Sequence, residues 1–201
     1  MKVLIACECS GVVRRAFRAR GHDAWSCDLL PAEDGDEHHL QCDVLTVLDR
    51  GWNLMIAHPE CTHLSLSGAR WCVDHWIKRK KGNRWHDGSE KRRLRKEAAE
   101  FLRTLLDYKA IPKRCIEQPM SMASTLVAKF DQRIHPWQFG HGETKETWLW
   151  LRGLPPLVPT NIVEGREHRI HKEPPGPDRK RNRSRTFTGI AEAMATQWSN
   201  Q

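Results

Sequence analysis

Four short, strand-like runs do most to limit what this chain can become: KVLIA at 2–6 and WNLMIA at 52–57, which are nearly all apolar, and AWSCD at 24–28 and KRCIEQP at 113–119, each with an acid toward its carboxyl end. Runs of this length that are nearly continuous in apolar residues, rather than alternating, read as strands buried on both faces. Such strands belong to a parallel sheet covered by helices. The segments between them fit that reading. VVRRAFRARG places Val13, Ala16 and Phe17 on one helical face and ends at Gly21, a good helix stop, and Ala98, Phe101, Leu102 and Leu105 mark a second amphipathic helix. A short strand is expected near Leu40 to Cys42. WQF at 137–139 and TWLWL at 147–151 follow, and Ile190, Ala193, Met194 and Trp198 share one side of a closing helix. The expected fold class is α/β, a Rossmann-like, mostly parallel sheet with helices on both faces.

In an open parallel sheet the carboxyl ends of the strands line the ligand crevice. Glu8, Asp28, Asp43, Cys61 and Glu117 all fall at or just past such ends, so they are expected on one rim. A chain of 201 residues suits one domain spanning 1–201 and one site.

No run of about 18 apolar residues occurs, and MKVLIACECS passes into charged sequence without a cleavable small-residue site, so no membrane partner is expected. Seven cysteines, an odd number, several of them in apolar runs, are expected as reduced thiols in cytoplasm. The formal charge of +8 is concentrated in a basic loop at about 72–96, which contains KRKKGNRWHDGSEKRRLRK, and in a Pro/Arg-rich segment at about 155–185. Solvated surface loops explain charge runs of this kind equally well. Trp71, Trp76 and Trp85 in or beside the first cluster make a nucleic-acid partner the sharper expectation, because aromatic faces among cations stack on bases while the cations meet phosphates.

The most informative segment is HPECTHLSLSGARW at 58–71, where Pro59 fixes a turn after a buried strand and Cys61 follows it. A thiol there is either an inert packing group or a nucleophile that needs assistance, for which His63 or a basic wall is a candidate. A zinc-stabilised nucleic-acid-binding module using His58, Cys61, His63, Cys72 and His75 is a rival reading. It lacks the paired Cys-x-x-Cys framework.

The order and type of these segments resemble the cytosine-5 DNA methyltransferase family, in the compact form carried by phages and prophages. HPEC at 58–61 resembles the family's Pro-Pro-Cys, with Glu60 in place of the second proline, and IEQP at 116–119 resembles its Glu-Asn segment. IACECSG stands where the family has its glycine-rich cofactor loop, with Glu8 and Ser10 in place of glycines. RSRTFTGIAEAMATQW at 183–198 resembles the closing segment.

The resemblance implies an S-adenosylmethionine-dependent methyltransferase fold and methylation of cytosine carbon 5 in DNA, with the target base flipped out of the stack. Cys61 would attack carbon 6, and Glu117, held protonated or sharing a proton, would hydrogen-bond N3. The cofactor would be held by Cys7, Glu8, Cys9, Ser10, Gly11, Asp28, Leu29, Asp43, Val44, His58 and Pro59, with Asp28 on its ribose and Asp43 at its adenine. For both aspartates a turn or capping role is an equal alternative.

QFGHGETKETWLWL at 138–151 stands where the family has an arginine-bearing strand pair that holds the target base; Lys145 is its nearest cation and a solvent-facing hairpin lysine is as good a reading. The short 155–185 segment stands in place of a target-recognition domain. A free cytosine nucleotide is therefore an alternative substrate, and a catalytically inactive binding protein an alternative function. Amino-methylating enzymes are disfavoured because HPEC lacks their Asp/Asn-Pro-Pro-aromatic run.

Overall fold

The computed structural model describes residues 1–78, 82–176 and 179–199. Arg79, Lys80 and Lys81 of the first basic cluster, and Pro177 and Asp178 of the second, lie outside the described residues.

The strands are β1 (Lys2–Ala6), β2 (Asp23–Asp28), β3 (His39–Gln41), β4 (Leu54–Ala57), β5 (His75–Ile77), β6 (Arg84–His86), β7 (Lys113–Pro119), β8 (Gln132–Ile134) and β9 (Thr147–Arg152). Seven of them form one sheet in the order β3-β2-β1-β4-β7-β9-β8. The first five in that order pair in parallel, and β9 runs antiparallel to both β7 and β8. The order reverses between β1 and β4, which places the crevice over their carboxyl ends. A mostly parallel sheet wound this way, closed by one antiparallel strand, is a Rossmann-like α/β architecture.

The helices are α1 (Val12–Arg18), α2 (Ser89–Asp107), α3 (Ala123–Leu126), α4 (Arg169–Lys172), α5 (Arg179–Ser184) and α6 (Thr188–Gln197). The two-residue period of the strands divides the core in two. Val3, Ile5, Leu54, Ile56, Cys115, Leu149 and Leu151 face α1 and α6, where Phe17, Met194 and Trp198 are buried with them. Leu4, Ala6, Met55, Ala57, Ile116 and Trp150 face α2, where Leu102, Leu105 and Leu106 complete the other layer. None of the described helices is long and apolar enough to cross a membrane.

Three stretches differ from their sequence reading. The basic stretch 72–96 is loop only in part. His75 and Trp76 pair with His86 and Trp85 in an antiparallel β5–β6 ribbon, and α2 begins at Ser89. WQF at 137–139 is a short 3-10 turn with part of the chain after it, not a strand, and the stretch between it and β9 is not a hairpin. The strand that pairs with β9 on its outer side is β8, three residues too polar to stand out in the sequence.

The loop after β2 is locked by charge. Arg14, fully buried on α1, donates to Ser26 Oγ at 2.7 Å and to Asp34 Oδ1 at 2.7 Å, and lies 3.3 Å from Asp36. Gly11 turns the chain into α1 at φ 68°, and a Cβ there would stand 2.5 Å from Asp34 Oδ2 and 2.6 Å from Arg14 Nη2. Replacing Asp34 by alanine leaves a buried guanidinium with Asp36 as its one nearby carboxylate and Ser26 as its hydroxyl partner, and a loss of about 3 kcal/mol is expected in urea unfolding. Burial would raise the Asp34 carboxyl, but the hydrogen bonds from Arg14 and the Asp36 backbone bring it down to about 2 from an ordinary 3.8. Because the folded value lies below the unfolded one, its contribution is complete above 3.8 and is lost as the pH falls toward 2. Wild-type stability should show this loss and Asp34→Ala should not.

Candidate active site

The parallel register of β4 and β7, with Ala57 opposite Ile116, sets two strand ends side by side. His58 follows Leu54 and Ile56 in parity, and Glu117 follows Cys115, so both side chains leave the sheet on the α1/α6 face. They meet there, with His58 Nδ1 2.7 Å from Glu117 Oε2. Side-chain exposure is only 13% and 9%, so little water competes for the bond.

The loop carrying Cys61 is fastened from three directions. Gln118 Nε2 donates to the Pro59 carbonyl. Met122 N donates to the Leu64 carbonyl at 2.7 Å, beside a bridge between Ser65 and Ser121. From α2, Lys91 Nζ reaches the Thr62 carbonyl at 3.3 Å and Arg95 Nε the His63 carbonyl at 3.1 Å. The half-buried Cys61 thiol therefore sits on a well-defined turn. Burial pushes this thiol up, opposed by a backbone hydrogen bond and by the positive charge of Lys145, while Glu60 and Glu117 push it further up. Lys145 is thus a cation that opposes the rise, while His63 Nδ1 lies 3.1 Å from Lys91 Nζ.

Burial would likewise raise the Glu117 carboxyl, but the hydrogen bond and charge of His58, then Lys145 and Thr186, reverse that and hold it well below the ordinary carboxylate range. For His58, burial disfavours the cation and Glu117 more than compensates, so the imidazole is raised. Both directions favour the proton on the imidazole and the negative charge on the carboxyl. The expectation of a Glu117 held protonated or sharing a proton meets a 2.7 Å contact with His58 Nδ1, in which the imidazole is the better base. His58, expected among the cofactor contacts, meets Glu117 through Nδ1.

Two further groups close this end of the sheet. Thr186 Oγ1 donates to Glu117 Oε2 at 3.2 Å, and Lys145 Nζ donates to the Arg185 carbonyl at 3.3 Å. Arg185 in turn pairs with Glu33 in the loop after β2. The segment entering α6 thus bridges the Cys61 end and the β2 end of the crevice.

At the β1–β2 end, Cys7 is the one non-glycine among the described residues at positive φ, 58°. Burial and the charges of Asp28 and Asp43 push its thiol up to about 12, which gathers these three residues at one place. Glu8 Oε1 accepts from Val13 N at 3.0 Å and from Ser10 Oγ at 2.9 Å, tying the turn before α1 and Gly11, and Cys9 accepts from Glu33 N through its carbonyl. Asp28 and Asp43 do form turns, accepting from Leu30 N and Leu45 N at 2.9 Å each through Oδ1. Leu29 beside Asp28 is 72% exposed, whereas Val44 and Pro59 are buried.

Among the described residues no group of three or more His, Cys, Asp or Glu side chains is arranged to hold a metal ion. His58 is engaged with Glu117, His63 with Lys91, and His75 Nδ1 with the Val73 carbonyl at 2.8 Å, so the three histidines of the zinc reading serve separate local contacts. A concavity of about 410 Å³ is lined by Arg166, His168, Arg169 and Lys172 among others, and one of about 280 Å³ by Glu60, His63, Leu94 and Phe101 among others. Neither is lined by Cys61 or Glu117.

No protein-family model matches the chain, and no curated protein matches it in sequence. Among solved structures it is similar to a Spodoptera frugiperda DNMT2 E260A/E261A/K263A mutant, at 13% identity and a TM-score of 0.48, over 82% of this chain and 57% of that one. It is also similar to the S. pombe Dnmt2 methyltransferase, at 14% identity and a TM-score of 0.43, over 86% of this chain and 53% of that one. The chain spans little more than half the length of these structures.

Proposed function

We propose that the chain is an S-adenosylmethionine-dependent methyltransferase acting on carbon 5 of cytosine in a nucleic acid, with Cys61 as nucleophile and Glu117 as the acid at N3. The observation that carries this reading is that Cys61 and Glu117 stand at the carboxyl ends of the neighbouring parallel strands β4 and β7, with the Cys61 loop tied to β7 by the bond from Gln118 to the Pro59 carbonyl. Carbon 5 of cytosine is too weak a nucleophile to accept a methyl group unaided. The Cys61 sulfur, having lost its proton to solvent, bonds to carbon 6, while a proton delivered through Glu117 to N3 takes up the electron density displaced into the ring. Carbon 5 is then enamine-like. S-adenosylmethionine, when bound, supplies the electrophilic methyl group. Loss of the carbon 5 proton to a base expels the Cys61 thiolate and restores the ring.

The residues at the β1–β2 end suit that cofactor chemically. Asp28 and Asp43 each keep Oδ2 without a hydrogen bond among the described residues, ready for ribose or adenine donors, and the exposed Leu29 and Leu30 offer apolar surface to a purine. Cys7, Glu8, Cys9, Ser10, Gly11 and Val44 frame the same end.

The β5–β6 ribbon favours a polymeric substrate. Trp76 and Trp85, 64% and 49% exposed, meet edge to face at 5.3 Å on its outer side, and Lys78 follows on the same face by parity. The inner side is packed by Trp71 against His75 and His86. Exposed indoles held on a ribbon beside cations suit stacking on unpaired bases. Replacing either tryptophan by alanine should weaken single-stranded oligonucleotide binding about tenfold, as read by fluorescence quenching, at an unchanged salt slope. Equal affinity in both variants would remove the ribbon from the interface.

The reading as a whole is tested by incubation with labelled S-adenosylmethionine and DNA, RNA or dCMP, followed by nucleoside mass spectrometry. The expected product is 5-methylcytosine in a polymer. Label on dCMP alone would transfer the same chemistry to a free nucleotide, and label on an exocyclic amine would refute it.

A further inference from the structure

We propose that His58 is a positioning residue that stores, on Nδ1, the proton Glu117 presents to the ring nitrogen of a bound cytosine; this rests on the assignment of Cys61 and Glu117 above. An ionised carboxylate cannot fill that role by itself, because it would set an acceptor oxygen against the lone pair of N3. A proton has to reach the carboxyl, and the side chains of the pair are only 13% and 9% exposed. Among the described residues, the one proton donor hydrogen-bonded to the carboxyl besides the Thr186 hydroxyl is His58, at 2.7 Å.

The surroundings of His58 hold this proton in place without trapping it. Glu117 faces it from β7 and Glu8 from the turn between β1 and α1, both favouring the imidazolium, while Lys145, just before β9, opposes it. Nε2 is buried with no hydrogen-bond partner among the described residues, and so is Glu8 Oε2. Glu8 therefore acts on the ring by charge alone, and the Nδ1 bond to Glu117 is the one directional contact of the ring's nitrogens. A ring bonded at both nitrogens would be a fixed ion pair.

The step balances within the pair. The N–H bond at Nδ1 breaks and its electron pair returns to the imidazole, an O–H bond forms on Glu117, and the neutral carboxyl gives that proton to N3 as sulfur bonds to carbon 6. When the thiolate leaves, N3 returns the proton to Glu117 and Glu117 returns it to Nδ1. His58 never touches the base.

The test is the pH profile of single-turnover methylation in wild type and His58→Gln, together with imidazole NMR of wild type and Glu117→Gln. In wild type the alkaline limb should follow the raised titration of His58, above 6.5, since the stored proton is lost as the pH rises through it. In His58→Gln the proton has to reside on Glu117 itself, so the limb should move to lower pH by about one unit or more, with turnover recovering on the acid side. A role in folding or packing would lower the whole profile and leave the limb where it was, and that result overturns the proposal. Should His58→Gln fail to fold, the NMR decides. An imidazolium at pH 7 that becomes neutral in Glu117→Gln supports the proposal, and a neutral His58 in wild type overturns it. Absence of methyl transfer to any cytosine refutes the underlying assignment and this inference with it, whereas normal transfer with an unmoved limb removes this inference alone.

Discussion

Cys61→Ser is expected to reduce methyl transfer by roughly 1000-fold or more, because a hydroxyl offers almost no anion at neutral pH where a thiol offers a usable fraction. The thiol's value is already pushed up by burial, so catalysis depends on Lys145 and on whatever the substrate adds to restore a thiolate. Serine is nearly isosteric, and Cys61 forms no disulfide, so unfolding free energy should change by no more than about 0.5 kcal/mol. Cofactor affinity by calorimetry should also be nearly unchanged. Turnover near the wild-type level would remove sulfur from the mechanism.

Glu117→Gln should slow the chemical step by roughly 100-fold to 10,000-fold, the range typical for loss of a positioned acid. The amide can still hydrogen-bond His58 and N3, but it cannot carry a proton between them. The cost to stability should be smaller than for a severed buried ion pair, about 1–2 kcal/mol. His58, without its counter-ion, sheds its proton instead of remaining charged in a buried site. Single-turnover rates set beside urea midpoints separate the two effects. A stability loss large enough to account for the lost rate would make Glu117 a structural acid.

Much of this arrangement could be read directly from the residues. β1 and β4 are buried on both faces and appear as nearly continuous apolar runs, while β7, just as buried at its centre, is marked only by Cys115 and Ile116 before its acid; the strand-end rule then places Cys61 and Glu117 on one rim. The His58–Glu117 contact was less accessible, since it depends on which strand lies beside β4. Its signal was parity: His58 two residues past Ile56, Glu117 two past Cys115. Lys145 and Thr186 arrive from stretches with no period at all, 140–146 and 185–187, and reach the site only because β9 and α6 deliver them. The β5–β6 ribbon was hidden inside a charge run, where three-residue strands leave no alternation to detect.

The bond between the Cys61 sulfur and carbon 6 of cytosine is tested most directly with an oligonucleotide carrying 5-fluorocytosine, incubated with S-adenosylmethionine. Fluorine at carbon 5 cannot leave as a proton does, so the adduct persists and can be digested and mapped by mass spectrometry. The expected result is a peptide spanning HPECTH that bears the methylated fluoropyrimidine on Cys61, with none formed in Cys61→Ser. An adduct on another cysteine, or ordinary turnover with no adduct, would contradict the account.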